Sequence, residues 1–174
     1  MAATDLYDAA RELLEACEAA VATTPGGAIE RSYVSPGLPA LDCCPQLTVH
    51  VGASIEGDTS PLAPPLQPAH RASQGLTVPL VQLTATVVRC APSWDEGADQ
   101  PPPTSEIDDV ARLTNADLWA IWNMLRDLHR AGSLFSAPAG PGSREFFFDP
   151  AFPISVQGGC AGWSIPFRVS LGGY

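Results

Sequence analysis

Trp163-Ser164-Ile165-Pro166-Phe167-Arg168-Val169-Ser170-Leu171 carries a large apolar residue at every odd position and a small, polar or proline residue at every even one. Successive side chains of a strand point to opposite faces, so Trp163, Ile165, Phe167, Val169 and Leu171 are expected to form one buried stripe. The same rhythm recurs at Leu47, Val49 and Val51 and at Val81, Leu83, Ala85 and Val87, which predicts strands over 46–55 and 79–90. Near the C-terminus, segments 144–148, 152–157 and 162–171 are separated by Asp149-Pro150 and Gly158-Gly159 and read as an antiparallel meander. A weaker strand around 29–34 precedes the turn Ser35-Pro36-Gly37.

Two amphipathic stretches can cover such a face. Over 5–22, Leu6, Ala10, Leu13, Leu14, Cys17 and Val21 recur on one side, with Asp8, Arg11, Glu12, Glu15 and Glu18 largely opposite. Thr4 or Asp5 suits its N-cap, and Pro25-Gly26-Gly27 ends it. Over 105–130 the stripe is Ile107, Val110, Thr114, Leu118, Ile121, Trp122, Leu125 and Leu128, with Gly132 as the stop. Thr114-Asn115-Ala116-Asp117 has the form of a fresh N-terminus, which leaves a break there open.

Helix, strands, helix, strands predicts an α+β fold, a mostly antiparallel β-sheet packed on one face by two helices. A length of 174 residues fits one domain, 1–174, carrying long Pro-rich loops at 56–78 and 91–104. Trp94 in the second loop either folds back on the core or anchors an interface, where tryptophan is enriched.

Nine basic residues, all arginine, face nineteen acids for a formal net charge of −10. Affinity for nucleic acid comes mainly from cationic contacts, so DNA is not expected to adhere. No apolar run approaches the roughly 20 residues that cross a bilayer. The acidic start Met-Ala-Ala-Thr-Asp-Leu-Tyr-Asp also lacks the basic-then-apolar order of a secretory signal. Synthesis in the cytoplasm and no membrane partner are expected.

Cys17, Cys43, Cys44, Cys90 and Cys160 include no Cys-x-x-Cys pair and read as small buried hydrophobes. Pairing of 46–55 with 79–90 would bring Cys43 or Cys44 near Cys90, so a disulfide there stays open, as does metal binding. His50 falls on the polar face of a strand, His70 in the long loop, and His129 at a helix C-terminus, where a cation complements the dipole. Asp95-Glu96 and Asp108-Asp109 have no second acidic cluster, and no nucleophile-elbow, zinc-protease or phosphate-loop motif is present. No catalytic residue, metal or cofactor is expected, and the chain does not read as an enzyme.

Three features in order resemble the tail-terminator proteins of long-tailed, non-contractile bacteriophages, especially those infecting actinobacteria. They are the amphipathic N-terminal helix, the stretch Asp42-Cys43-Cys44-Pro45-Gln46-Leu47-Thr48-Val49, and the helix Asp117-Leu118-Trp119-Ala120-Ile121-Trp122 followed by Gly159-Cys160-Ala161-Gly162-Trp163 and the terminal strand. The resemblance implies a homo-hexameric ring in the virion neck, assembled in the host cytoplasm. Such a ring caps the head-proximal end of the tail tube, ends tail polymerisation and joins the head-side connector. The implied partners are other copies of the chain, the major tail tube protein and the connector or stopper protein, with DNA passing through the lumen without specific binding. A ring of this kind needs two different complementary patches per subunit, and Trp94, His70, Arg71, Asp95 and Glu96 in the two loops are the expected interface residues. An acidic lumen would limit DNA sticking. The alternatives are another neck component, a head-closure or connector protein, or a small cytoplasmic enzyme.

Overall fold

A computed structural model describes residues 3–41, 45–56, 79–92, 101–131, 146–157 and 159–170. In chain order these form α1 (Ala3–Val21), β1 (Arg31–Ser35), β2 (Gln46–Glu56), β3 (Pro79–Cys90), α2 (Thr104–Ala131), β4 (Phe146–Phe148), β5 (Phe152–Gln157) and β6 (Cys160–Ser170). All six strands join one sheet in the order β1-β2-β3-β6-β4, with β5 also on β6. Every pairing is antiparallel except β1 with β2. The fold is α+β, with two helices on a mostly antiparallel sheet.

Alternation decides which face is covered. Leu47 and Val49 of β2, Val81, Leu83, Ala85 and Val87 of β3, and Ile165, Phe167 and Val169 of β6 share one core with Ala10, Leu13, Leu14, Cys17 and Val21 of α1 and Ile121 and Leu125 of α2. Each fully buried large side chain here contributes about 1.5–3 kcal/mol, and Phe167 is the largest of them. Both helices therefore lie on the face of the odd-numbered strand residues. Trp163, expected in the core, packs against its margin and stays partly exposed, and Trp122, also expected there, is partly exposed as well.

The meander is corrected by the pairing. β4 and β5 do not pair with each other; both run along the same edge of β6, Phe148 opposite Phe167 and Phe152 opposite Ser164. Between them the register slips by one residue, as a bulge does. Asp149 and Pro150 account for it. Pro150 has no N–H to give a ladder, and the Asp149 carboxylate turns to Arg168, accepting bonds of 3.1 Å from Nε and 2.9 Å from Nη2. Trp122 packs on Phe148 with ring centroids 4.9 Å apart and ring planes tilted by 38°, and ties β4 to α2.

α2 is continuous through Thr114-Asn115, where a break was left open. Thr114 Oγ1 donates back to Val110 O at 3.0 Å, and Asp117 is drawn into the interior, so neither serves as a cap. Ile107, assigned to the buried stripe from its spacing, is 49% exposed.

Candidate functional site

The two helices and the sheet meet at one buried ion pair. Arg89 sits at the end of β3 on the helix-covered face; its Nε donates to Asp117 Oδ2 at 2.8 Å and its Nη2 to Asp117 Oδ1 at 3.1 Å. The remaining guanidinium donors reach the turn after α1, Nη1 to Gly26 O and Nη2 to Gly27 O, both at 2.8 Å. Thr24 Oγ1 donates to Asp117 Oδ1 at 2.6 Å. A planar fork with this many fixed donors is what arginine supplies and lysine does not. Gly27 takes φ +67°, and a Cβ on Gly26 would lie 2.7 Å from the guanidinium carbon, so the glycines read from the sequence as a helix stop also make room for Arg89. This cluster is saturated with partners and has a structural role.

Unlike surfaces flank it at the two ends of the sheet. Between the N-terminal half of α2 and the β5–β6 edge lies an apolar groove of about 450 Å³, walled by Pro92, Pro102, Ile107, Val110, Ile154 and Trp163. Phe152 and Pro153 stand exposed beside it. At the opposite edge, β1 and α1 bound a smaller apolar hollow of about 320 Å³ formed by Leu6, Tyr7, Val34, Pro36 and Val51. Tyr7, which lines it, is exposed. Among the described residues the outer sides of β1 and of β4–β5 end the sheet, so each apolar surface adjoins an open strand edge.

The second face of the sheet is polar and, at its centre, buried. Gln46, Thr48 and His50 of β2 lie beside Thr84 and Thr86 of β3, Thr48 opposite Thr86 and His50 opposite Thr84. Gln46 Oε1, Thr48 Oγ1 and His50 Nδ1 have no hydrogen-bond partner among the described residues. Burial lowers the His50 pKa below its ordinary 6.5, so the ring is neutral at pH 7. Ser35 and Thr84 are its cross-strand neighbours, but Nδ1 engages neither hydroxyl, so this row holds no nucleophile–base pair through that nitrogen.

Trp94, His70, Arg71, Asp95 and Glu96, the interface residues expected from the sequence, lie outside the described residues, as do Cys43 and Cys44. His129 is exposed in the last turn of α2, edge-on to Phe148 with centroids 6.4 Å apart. Cys90 is not disulfide-bonded and is exposed, opposite Cys160 rather than joined to Cys43 or Cys44. Sequence reasoning missed Asp117 as an interior acid, the groove beside Ile107, and Trp119, which is 59% exposed. Only Trp119 carried a local signal, since it falls off the apolar stripe of α2. Among the described residues no group of three or more His, Cys, Asp or Glu side chains is placed to hold a metal ion, and no helix is long and apolar enough to cross a membrane. The chain matches no protein-family model and no curated protein.

Proposed function

We propose that this chain is a structural subunit that associates head to tail into a closed ring at the head-proximal end of a phage tail tube, where it ends tail growth and offers a surface to the head-side connector. The observation that carries the reading is the pair of unlike apolar surfaces at opposite edges of one sheet, the groove beside Ile107 and Phe152 and the hollow beside Tyr7 and Val34. A heterologous contact joins two different patches and closes into a ring when the rotation between copies allows. Exposed aromatic side chains such as Tyr7, Phe152 and Trp119 are of the type that anchors protein interfaces. The tail-terminator resemblance supplies the identity of the ring, and the net charge of −10 suits a lumen that DNA crosses without adhering.

The test is tube capping. Negatively stained mixtures of the purified protein with tail tubes should show a ring at one tube end and tubes that no longer lengthen. Ile107→Glu and Tyr7→Glu, each placing a charge on one apolar surface, should fold normally and lose capping. Binding to portal-side proteins with tube ends left bare would instead assign the chain to another part of the neck.

A further inference from the structure

A head-to-tail repeat keeps every strand direction, so when β4 of one copy lies beside β1 of the next, the strand order makes the two antiparallel. Hydrogen-bond alternation decides whether they can pair. Ala91 N donates to Gly159 O at 2.7 Å, so the odd-numbered residues of β6 bond β3 and the even-numbered ones face the β4–β5 edge, where Asp149 N donates to Pro166 O at 3.3 Å. Phe147, level with Arg168, therefore turns its main-chain groups toward β6, and Phe146 turns them away from the sheet. The same alternation, carried across β3 and β2, turns Tyr33 of β1 toward β2 and leaves the main-chain groups of Ser32 and Val34 pointing outward. Further along the β4–β5 edge, Pro153 is level with Trp163 and faces out, where it has no N–H to offer, so β4 rather than β5 suits an added strand.

We propose that copies in the ring join by strand addition, β4 of one pairing antiparallel with β1 of the next in the register that sets Phe147 opposite Tyr33. The inference rests on the ring reading. In this register Phe146 and Val34 of the next copy exchange main-chain hydrogen bonds, and Phe147 and Tyr33 form a non-hydrogen-bonded pair on the polar face of the sheet. Both aromatic side chains are partly exposed, and each has an arginine over it, Arg168 at 5.9 Å from the Phe147 centroid and Arg31 at 5.6 Å from that of Tyr33. Charge selects the partner edge. Trp122 and His129 of α2 contact Phe148, and Leu6 and Tyr7 of α1 line the hollow with Val34, so the joint brings the last turns of α2 beside the first turns of the next α1. Those turns of α2 carry Arg126, His129 and Arg130 with Asp127, whereas α1 carries five acids and one base, Arg11. Pairing β1 with β1 would instead set two acidic helices side by side.

The non-hydrogen-bonded pair holds its Cα atoms about 4.5 Å apart, within the range a disulfide bridges. A chain carrying both Tyr33→Cys and Phe147→Cys, oxidised after ring formation, should give a ladder of covalent multimers on a non-reducing gel that collapses with reductant. The wild type and each single variant should give none. Val34→Pro removes an outward N–H without touching the β1–β2 ladder, and it should sediment as a monomer where the wild type forms rings, with its circular dichroism unchanged. Should Val34→Pro lose its fold, the crosslink decides alone. Intact rings of Val34→Pro, or rings whose double-cysteine chains stay unlinked, would overturn strand addition and leave the ring reading standing. A covalent dimer from Tyr33→Cys by itself would overturn it in favour of a symmetric joint. A wild type that forms no ring, alone or at tube ends, would overturn the ring reading and this joint with it.

Discussion

Asp117 shows how much one side chain can carry. It is fully buried, and its partner Arg89 is nearly so. Removing one member of such a pair leaves an uncompensated charge out of water, which costs about 3–5 kcal/mol, whereas replacing both with apolar residues of similar volume is often neutral. Asp117→Asn should therefore lower stability by about 3–5 kcal/mol in denaturant unfolding, and the double variant Arg89→Met, Asp117→Leu should lose less than the two single changes summed. His50 makes a second prediction at this scale. Its folded pKa lies below its ordinary 6.5, so the unfolded chain binds the proton more readily. The stability this represents is present in full above about pH 6.5 and is lost as pH falls through the unfolded value toward the folded one. The drop in melting temperature between about pH 7.5 and 5.5 should be smaller in His50→Gln than in the wild type.

The elements meet at close backbone contacts that no propensity scale reports. Gly162 of β6 lies opposite Val88 of β3, and a Cβ there would sit 1.9 Å from Val87 O and 2.8 Å from Val88 Cα, both backbone atoms of a central strand. Neither can move without shifting the sheet. Gly162→Ala should cost about 3 kcal/mol or more, or prevent folding, by thermal or denaturant unfolding. Gly37→Ala, where nothing lies within 4 Å of the added carbon, should stay within about 0.5 kcal/mol of the wild type. The β4–β5 edge obeys the same logic. One Asp-Pro step and one bidentate carboxylate turn what reads as two hairpin strands into a single bulged edge.

At the scale of the whole molecule, the sheet has two ends of different character, and that asymmetry separates head-to-tail association from a symmetric dimer. A copy carrying Tyr7→Glu keeps its groove, and a copy carrying Ile107→Glu keeps its β1-side hollow. Each variant alone should sediment as a monomer under conditions where the wild type closes rings. Mixed in equal amounts, the two should form a dimer through the one intact pair of surfaces and grow no further. A symmetric, isologous interface would gain nothing from mixing. Analytical ultracentrifugation distinguishes the outcomes.

Much of this architecture is written locally. The two-residue rhythm of Leu47–Val51, Val81–Val87 and Trp163–Val169 and the helical spacing of Leu6–Val21 determine which side chains turn inward, because strand and helix geometry project residues at fixed intervals. Those positions are buried or line the core margin as their spacing requires. The sequence by itself thus determined the elements, their inner faces and the α+β class. Tertiary structure alone decided that Asp117 would be an interior acid rather than a cap, since its partner Arg89 lies 28 residues away and reaches it only once α2 crosses the end of β3. It likewise decided that Ile107 would wall a groove and that Cys90 would face Cys160. Periodicity reports which way a side chain points, whereas its neighbour depends on how the elements are laid against one another.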